Sequence, residues 1–226
     1  MNLLTTHNRR RLQPGDVEFI LQALASTAEE RLALLRLLAD PAEADFILDH
    51  PRLCEAVLSC ANVVALSPEF FFYVVVRHLT RESGIDDIAL ADYLAGLLAT
   101  YTRAHHTRRS ALPASPDPVL HATDLIEAAE RASPYERFFV FVDGGNRLLL
   151  LTGIFPGRVR HREARSGAPG LAFYEQMAMS AFQSAYNHPL CAEFRLRDVY
   201  RTLLEFFAPT RRVLNRLGEE FLVLGS

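Results

Sequence analysis

Four arginines crowded into one short stretch are the residues best suited to binding chemistry. They are Arg158, Arg160, Arg162 and Arg165, with His161 among them. Guanidinium groups bind phosphate and carboxylate groups through charge-assisted, often paired, hydrogen bonds. The glycines nearby predict a loop, and the amides of a following helix that begins near Pro169 would add partial positive charge. The stretch predicts a site for a phosphate, a carboxylate or an acidic partner, although Glu163 also allows a solvated loop.

A tyrosine in the next predicted helix extends this candidate site. Tyr174 lies early in the segment LAFYEQMAMSAFQSAYNHP, where small residues form a strip flanked by methionine and aromatic residues. Small residues let helices approach closely, so core packing accounts for the strip, but methionine and aromatics also line ligand pockets. A pocket between residues 148–155 and 173–186 is the alternative. Arg158, Arg160 and Tyr174 would then anchor an anionic group.

The histidines and cysteines do not form a metal-binding pattern. None of the eight histidines follows an acidic residue by three positions, as in di-iron helical bundles. Neither HExxH nor a C-x-x-C pair is present. We therefore expect no metal and no cofactor.

Nucleophilic catalysis has one weak candidate. Cys54 follows His50 by four residues, with Asp49 beside the histidine, so a cysteine–histidine pair is conceivable. A thiol on an apolar helix is normally inert, and we favour a packed thiol at a helix end. The chain has no G-x-S-x-G motif and no lysine, which excludes Walker A, Schiff-base and kinase-type lysine chemistry. The sequence indicates no catalytic residues and favours a non-enzyme.

Charge and composition indicate the expected surroundings of the protein. All 24 basic residues are arginine, as is typical of a GC-rich bacterial genome, and the net charge is −3. That charge gives no general attraction to nucleic acid, and no aromatic residue interleaves the arginine stretch to stack on bases. No apolar segment reaches the roughly 20 residues of a membrane span. Pro14, Asp16 and Glu18 interrupt the region where a secretory signal would be apolar, so we expect a cytoplasmic protein.

Helix-start signals recur along the chain and predict the elements that must position these residues. Ser26 or Thr27 precedes acidic residues, and Ser67 precedes Pro68 in a long Phe- and Val-rich segment that stops at Gly84. Because such signals recur with helical spacing of apolar residues, we predict an all-α fold of about nine to eleven helices.

The proline-rich segment 108–118 divides the predicted helices. We predict an N-terminal helical half at 1–107, a linker at 108–118 and a C-terminal half at 119–226, although the two halves can also form one compact domain. The linker carries proline and no periodic apolar face.

Residues 138–151 allow two interpretations. Two apolar runs around DGGN resemble a β-hairpin. Ser133, Pro134 and Glu136 instead form a helix-start signal, and the runs do not alternate in polarity. We favour two short buried helices, hinged at Gly144 and Gly145, with Asn146 capping the second.

These observations together predict a cytoplasmic helical protein that acts through protein–protein interaction. An arginine loop would suit a partner with an acidic surface. The alternative is a protein or enzyme that binds a small anionic or amphipathic ligand in a pocket of the C-terminal half.

Overall fold

The computed structural model describes residues 8–60, 66–110 and 122–220, and within these ranges the chain is helical, without a strand. The all-α prediction is confirmed. Thirteen α-helices lie in the described residues, two more than the upper predicted number. A 3₁₀ turn at Asn8–Arg10 precedes them. The helices are α1 (Pro14–Leu24), α2 (Ala28–Ala39), α3 (Pro41–Leu48), α4 (Pro51–Leu58), α5 (Pro68–Glu82), α6 (Ile88–Ser110), α7 (Ala122–Arg131), α8 (Pro134–Gly153), α9 (Pro156–Ser166), α10 (Leu171–Asn187), α11 (Pro189–Glu193), α12 (Arg197–Glu205) and α13 (Phe207–Glu220).

The predicted helix-start signals form real caps. The Thr27 side chain accepts the Glu30 N–H at the start of α2, and Ser67 accepts the Phe70 N–H at the start of α5. Ser133 caps α8 in a capping box with Glu136. Each cap satisfies a backbone donor that has no partner inside the helix, so each fixes where the helix begins.

Helix α5 forms the core of the N-terminal unit, Thr5–His105. Ten of its residues are buried, including Phe70, Tyr73 and Arg77. Helix α4 and the 3₁₀ turn pack against it, and α1 packs against α4. Helix α2 packs on α3 and α1 but buries none of its residues.

Helix α8 is the central element of the C-terminal unit, which begins at His106. Helices α7, α9, α10 and α13 all pack against it. Close approach depends on glycine: a Cβ built on Gly145 would lie 3.0 Å from the Phe182 ring, and one on Gly153 would lie 2.8 Å from the Leu214 Cβ. These contacts leave no room for larger side chains on that face of α8.

The predicted hinge at Gly144 and Gly145 is wrong. Residues 138–151 are helical, as we favoured over the hairpin, but α8 continues through the DGGN segment without a break. Both glycines are buried against neighbouring helices, with Leu125 lying where a Gly144 Cβ would be. Glycine is required there for helix packing and does not turn the chain. Asn146 accordingly lies inside the helix and caps nothing.

The excess over the predicted number of helices arises mainly in two places. Helix α9 forms where a loop was predicted, and α11 is a five-residue helix that begins at Pro189. The predicted linker at 108–118 lies largely outside the described residues. Its first three residues, 108–110, end α6. The domain boundaries therefore stay a prediction.

The described helices differ from a regular membrane span. No single one of them is both long and apolar enough to cross a bilayer. Helices α8 and α9 meet the requirements of length and composition only as a pair, across a bend of 84°.

Candidate functional site

The arginine stretch is a helix, contrary to the predicted loop. Proline at the first position of α9 starts the helix, because proline has the backbone angle of a first helical turn and needs no hydrogen-bond acceptor there. Gly167, with φ of 62°, ends it in the left-handed conformation that glycine adopts without strain. The sequence between them has only Val159 and the small Ala164 as apolar residues, so the apolar periodicity that marks most helices is missing.

The helix brings three of the four arginines together and separates the fourth. Because successive residues turn by about 100°, Arg158, Arg162 and Arg165 fall on one side of α9. We call these three residues the arginine face. Arg160 points about 200° away from Arg158 around the axis, on the other side of the helix. Arg158, Arg160 and Arg165 are exposed and Arg162 is half-buried. The exposed His161 adjoins the arginine face.

Local contacts orient part of the arginine face. The Arg158 guanidinium lies over the Phe155 ring, with its central carbon 4.6 Å from the ring centre. This stacking fixes the plane of the Arg158 guanidinium beside the ring. Arg162 and Arg165 form no ion pair with any residue in the described ranges. The arginine face is thus a largely exposed positive surface in which Arg162 and Arg165 have no counter-ion among the described residues.

The N-terminus of α10 does not reinforce the arginine face as predicted. Gly170 is the N-cap residue of α10 and makes no side-chain hydrogen bond. The Glu163 carboxylate lies against it, since a Cβ built on Gly170 would be 2.7 Å from Glu163 Oε1. Glu163 points away from the arginine face around α9, so the α10 amides face a carboxylate instead.

Tyr174 is buried in the core, whereas the arginines lie at the surface. Its side chain is 4% exposed, and its ring packs edge-to-face on Phe173 with ring centres 5.5 Å apart. Further along α10, Phe182 packs directly on Gly145 of α8. At this contact α8 and α10 approach closely, in the region where the sequence analysis gave a pocket as the alternative to core packing.

A cavity of about 320 Å³ lies in the N-terminal unit, where no binding site was predicted. Helices α4 and α5 and the chain between α3 and α4 supply its walls. The lining includes groups of both charge signs and two imidazoles. The polar lining residues are Asp49, His50, Cys54, Arg77, His78, Arg81 and Glu82.

Arg77 organises the polar side of this cavity. It is 4% exposed and bonds both oxygens of Asp49 through Nε and Nη2. Nη2 also bonds Asp86, and that hydrogen bond lowers the pKa of the Asp86 carboxyl. Nη1 is buried without a hydrogen-bond partner among the described residues. The sequence carried a signal for this group, because Arg77 is a charged residue inside the apolar run VVVRHL, where a buried charge needs a partner.

The conceivable cysteine–histidine pair has other structural roles. His50 is the N-cap of α4, and its Nδ1 accepts the backbone N–H of Arg52 at 3.2 Å. Burial raises the pKa of the Cys54 thiol to about 11, with Glu82 and Glu55 adding to the shift. At neutral pH the thiol is therefore protonated and a poor nucleophile. These contacts support the packed-thiol interpretation.

A second, partly buried ion cluster ties the 3₁₀ turn to α3 and α6 within the N-terminal unit. Arg9 Nε bonds Asp45 of α3 at 2.7 Å, and the Arg9 backbone N–H bonds Asp92 of α6 at 2.8 Å. The Tyr73 hydroxyl is buried nearby without a hydrogen-bond partner among the described residues. Burial, and then the Asp49 charge, raise the pKa of Tyr73. Arg9 is thus paired with two carboxylates, and these contacts anchor the 3₁₀ turn to α3 and α6.

The metal-ligating side chains and the comparisons with known proteins complete the description of the site. In residues 8–60, 66–110 and 122–220, no group of three or more His, Cys, Asp or Glu side chains is placed to hold a metal ion. Comparison with protein families, curated proteins and solved structures gives no match for this chain.

Proposed function

We propose that this helical protein acts in the cytoplasm by binding an acidic surface of another protein. The observation that carries the proposal is the arginine face, where Arg158, Arg162 and Arg165 lie together on an exposed helix. Guanidinium groups at this spacing can form paired hydrogen bonds with the carboxylates of a facing helix or loop.

Charge and shape favour a protein partner over other anions. The chain carries a net charge of −3, so the positive surface is local and would not hold a long polyanion such as nucleic acid. A helix surface is convex, whereas a small anionic metabolite needs a concave site. An acidic protein surface is the anion that suits a single convex arginine face.

Affinity purification with a matched control tests the proposal. The triple variant Arg158→Gln, Arg162→Gln, Arg165→Gln removes the arginine face, and Arg160→Gln removes one exposed arginine from the other side of the same helix. Both variants and the wild type would be used as bait in the source cells, with quantitative mass spectrometry of the captured proteins. We expect acidic partners with the wild type and with Arg160→Gln, and at least a tenfold loss with the triple variant, since each charged hydrogen bond contributes about 1.5–3 kcal/mol.

The outcome that contradicts the proposal is equally specific. If the triple variant captures the same proteins as the wild type, with circular dichroism showing equal helix content, the arginine face binds no partner. A rise in salt should also release the partners, because exposed charge pairs are screened beyond about 8 Å at physiological ionic strength.

Binding of a small anionic or amphipathic molecule is the second candidate function, and the cavity beside Arg77 favours it. Its volume of about 320 Å³ matches the lower end of ligand pockets, roughly 300–1,000 Å³. The sequence suggested a pocket in the C-terminal half, whereas this cavity lies in the N-terminal unit. A native mass spectrum of the purified protein would show a co-purifying ligand, and His78→Leu should remove that ligand if it occupies the cavity. A spectrum with the bare protein mass alone would count against this candidate.

A further inference from the structure

Helix α2 exposes apolar side chains that a monomer would normally cover. Leu32 is 52% exposed, Leu35 44% and Leu37 41%, and no residue of α2 is buried. The most exposed large apolar side chain of the described residues, Phe46 at 75%, lies on the neighbouring α3. Leu32 and Leu35 lie on one side of α2, and adjacent exposed apolar side chains mark an interaction site more often than an ordinary surface.

The exposed leucines form a stripe with the spacing of a helix–helix seam. Leu32 and Leu35 are three apart, and Ala28 and Ala39 continue the stripe four residues before and after them. This alternation of three and four is the spacing with which one helix contacts another. The half-buried Arg31, Leu34 and Leu38 lie on another side of the helix, so the stripe is available to a partner.

The charges along the stripe are arranged so that it complements itself. Glu29 and Arg36 are seven residues apart, about 10 Å along the axis, and flank the stripe on the same edge. Neither forms an ion pair with a described residue. The other charges are already used: Glu30 closes the capping box with Thr27, and Arg31 bonds Glu18 at 2.9 Å.

We propose that α2 binds α2 of a second copy of this chain, with the two helices antiparallel. In an antiparallel pair related by a two-fold axis, equivalent edges face each other. Glu29 of each copy then faces Arg36 of the other, and Leu32 packs beside Leu35 across the seam. A parallel pair would set the Arg36 edge against the Arg31 edge, where like charges repel.

The size of the surface sets the strength of this association. A helix of twelve residues is about 18 Å long. It offers less than the roughly 800 Å² that each partner contributes to a standard stable interface. The dimer is therefore weak and forms only as the protein concentration rises. It is independent of the arginine face, which lies in the other unit of the chain.

Sedimentation velocity of the full chain over a wide concentration range tests the apolar seam. We expect a reversible monomer–dimer equilibrium for the wild type, and more than a tenfold weaker dimer for the pair Leu32→Gln and Leu35→Gln. Leu37→Gln is the matched control, because Leu37 is equally exposed but lies on the other side of α2. A wild type that stays monomeric at all concentrations overturns the proposal, and so does a dimer that loses nothing when the seam leucines are replaced.

Charge reversal tests the antiparallel arrangement. Glu29→Arg and Arg36→Glu each place like charges opposite one another twice in the dimer, so each should weaken it by about tenfold. The double substitution Glu29→Arg with Arg36→Glu restores the complementary pattern and should restore the dimer. An equimolar mixture of the two single variants should also associate. If neither the double variant nor the mixture recovers association, the antiparallel pairing is wrong. Variants of the arginine face should leave the dimer unchanged, so this result is independent of the proposed function.

Discussion

Helices α5 and α2 belong to the same unit and carry similar apolar content, yet they differ completely in burial. Ten of the fifteen residues of α5 are buried, whereas none of the twelve residues of α2 is. Both helices begin with a capped first turn that contains glutamate. Capping and apolar content therefore predict that a helix forms without predicting where it lies in the fold.

The difference follows from the kind of apolar residue and from its distribution around the helix. Helix α5 carries phenylalanine, tyrosine and valine, which fill the space between neighbouring helices and remove large areas from water. Helix α2 is built from alanine and leucine spread around much of its circumference. One side packs on the unit, and the remaining leucines stay exposed. Matched substitutions in the two helices should therefore cost much more stability in α5, which lies in the core, than in α2, which lies at the surface.

Truncation of an aromatic residue in α5 should have the largest effect. Phe70 is 2% exposed and meets the Phe19 ring edge-on, with ring centres 6.2 Å apart. Phe70→Ala should lower the free energy of unfolding by about 3–5 kcal/mol, because it leaves a cavity in a packed core. Urea denaturation measures this loss. Leu32→Ala in α2 should change the stability of the dilute monomer by about 0.5 kcal/mol or less. Equal losses for both variants would show that α2 is covered in solution.

Arginines in the two helices provide the next contrast. Arg77 of α5 is 4% exposed in its pair with Asp49, whereas Arg31 of α2 and its partner Glu18 are 38% and 51% exposed. Arg77→Ala should cost about 3 kcal/mol, because it leaves the mostly buried Asp49 carboxylate with only the more distant, half-exposed Arg81 at 3.6 Å. Arg31→Ala should cost about 0.2–1 kcal/mol, since water screens an exposed pair.

Thermal and urea unfolding of both arginine variants, with Arg77→Met added, make this comparison sharper. Methionine retains the apolar stem of Arg77 but not the charge, so a recovery of stability relative to Arg77→Ala would assign part of the cost to packing. If Arg31→Ala proves as costly as Arg77→Ala, the exposure of the α2 pair is wrong.

Much of the helical structure follows from local sequence signals. The caps at Ser67 and Ser133, and one at Ser26 or Thr27, were predicted because Ser or Thr followed by acidic residues or proline meets the needs of a first helical turn. Each of these signals acts within four residues. The all-α class could therefore be predicted without knowing what the helices pack against.

The features that escaped prediction depend on neighbours distant in sequence. The glycines at 144 and 145 resemble a turn locally, but Leu125 and Phe182 supply the reason for them. Helix α9 lacks apolar periodicity, so its arginines were predicted in a loop, and the separation of Arg160 from the other three was missed. The exposure of α2 was hidden for the same reason, since its leucines have helical spacing whether or not another helix covers them.

Removing the N-cap of α5 should destabilise the whole unit, whereas removing that of α2 should destabilise α2 alone. Ser67 accepts the Phe70 N–H and also donates to the buried Asp16 carboxylate at 2.6 Å. Ser67→Ala should lower global stability by about 1–2 kcal/mol, because both the cap and a bond to a buried carboxylate are lost.

Thr27→Ala is the matched change in α2, where the cap is exposed. Native-state hydrogen exchange should show faster opening of the α2 amides by about 1 kcal/mol, with little change in the melting temperature of the unit. A melting temperature that falls as far as in Ser67→Ala would mean that α2 unfolds together with the core.

The smallest and most local contrast concerns the pKa values of two carboxyl groups, each bound by an arginine of α5 or α2. A hydrogen bond from Arg77 lowers the pKa of Asp86, and hydrogen bonds from Arg31 and Gln22 lower that of Glu18. A carboxyl with a depressed folded pKa stabilises the fold above its unfolded pKa, about 4, and this contribution is lost as the pH falls through the folded value. Carbon-detected NMR titration should show the Asp86 pKa rising towards its ordinary value in Arg77→Met, and the Glu18 pKa rising in the same way in Arg31→Met.

The two pKa shifts should differ in their response to salt. Arg77 is 4% exposed and is fixed by Asp49, whereas Arg31 is 38% exposed. Although the Asp86 side chain is itself 74% exposed, its buried cation is less accessible to counter-ions, so added salt should raise the pKa of Glu18 more than that of Asp86. Equal salt sensitivity would show that the exposure of Asp86 outweighs the burial of Arg77, and the contrast between α5 and α2 would then be confined to their apolar residues.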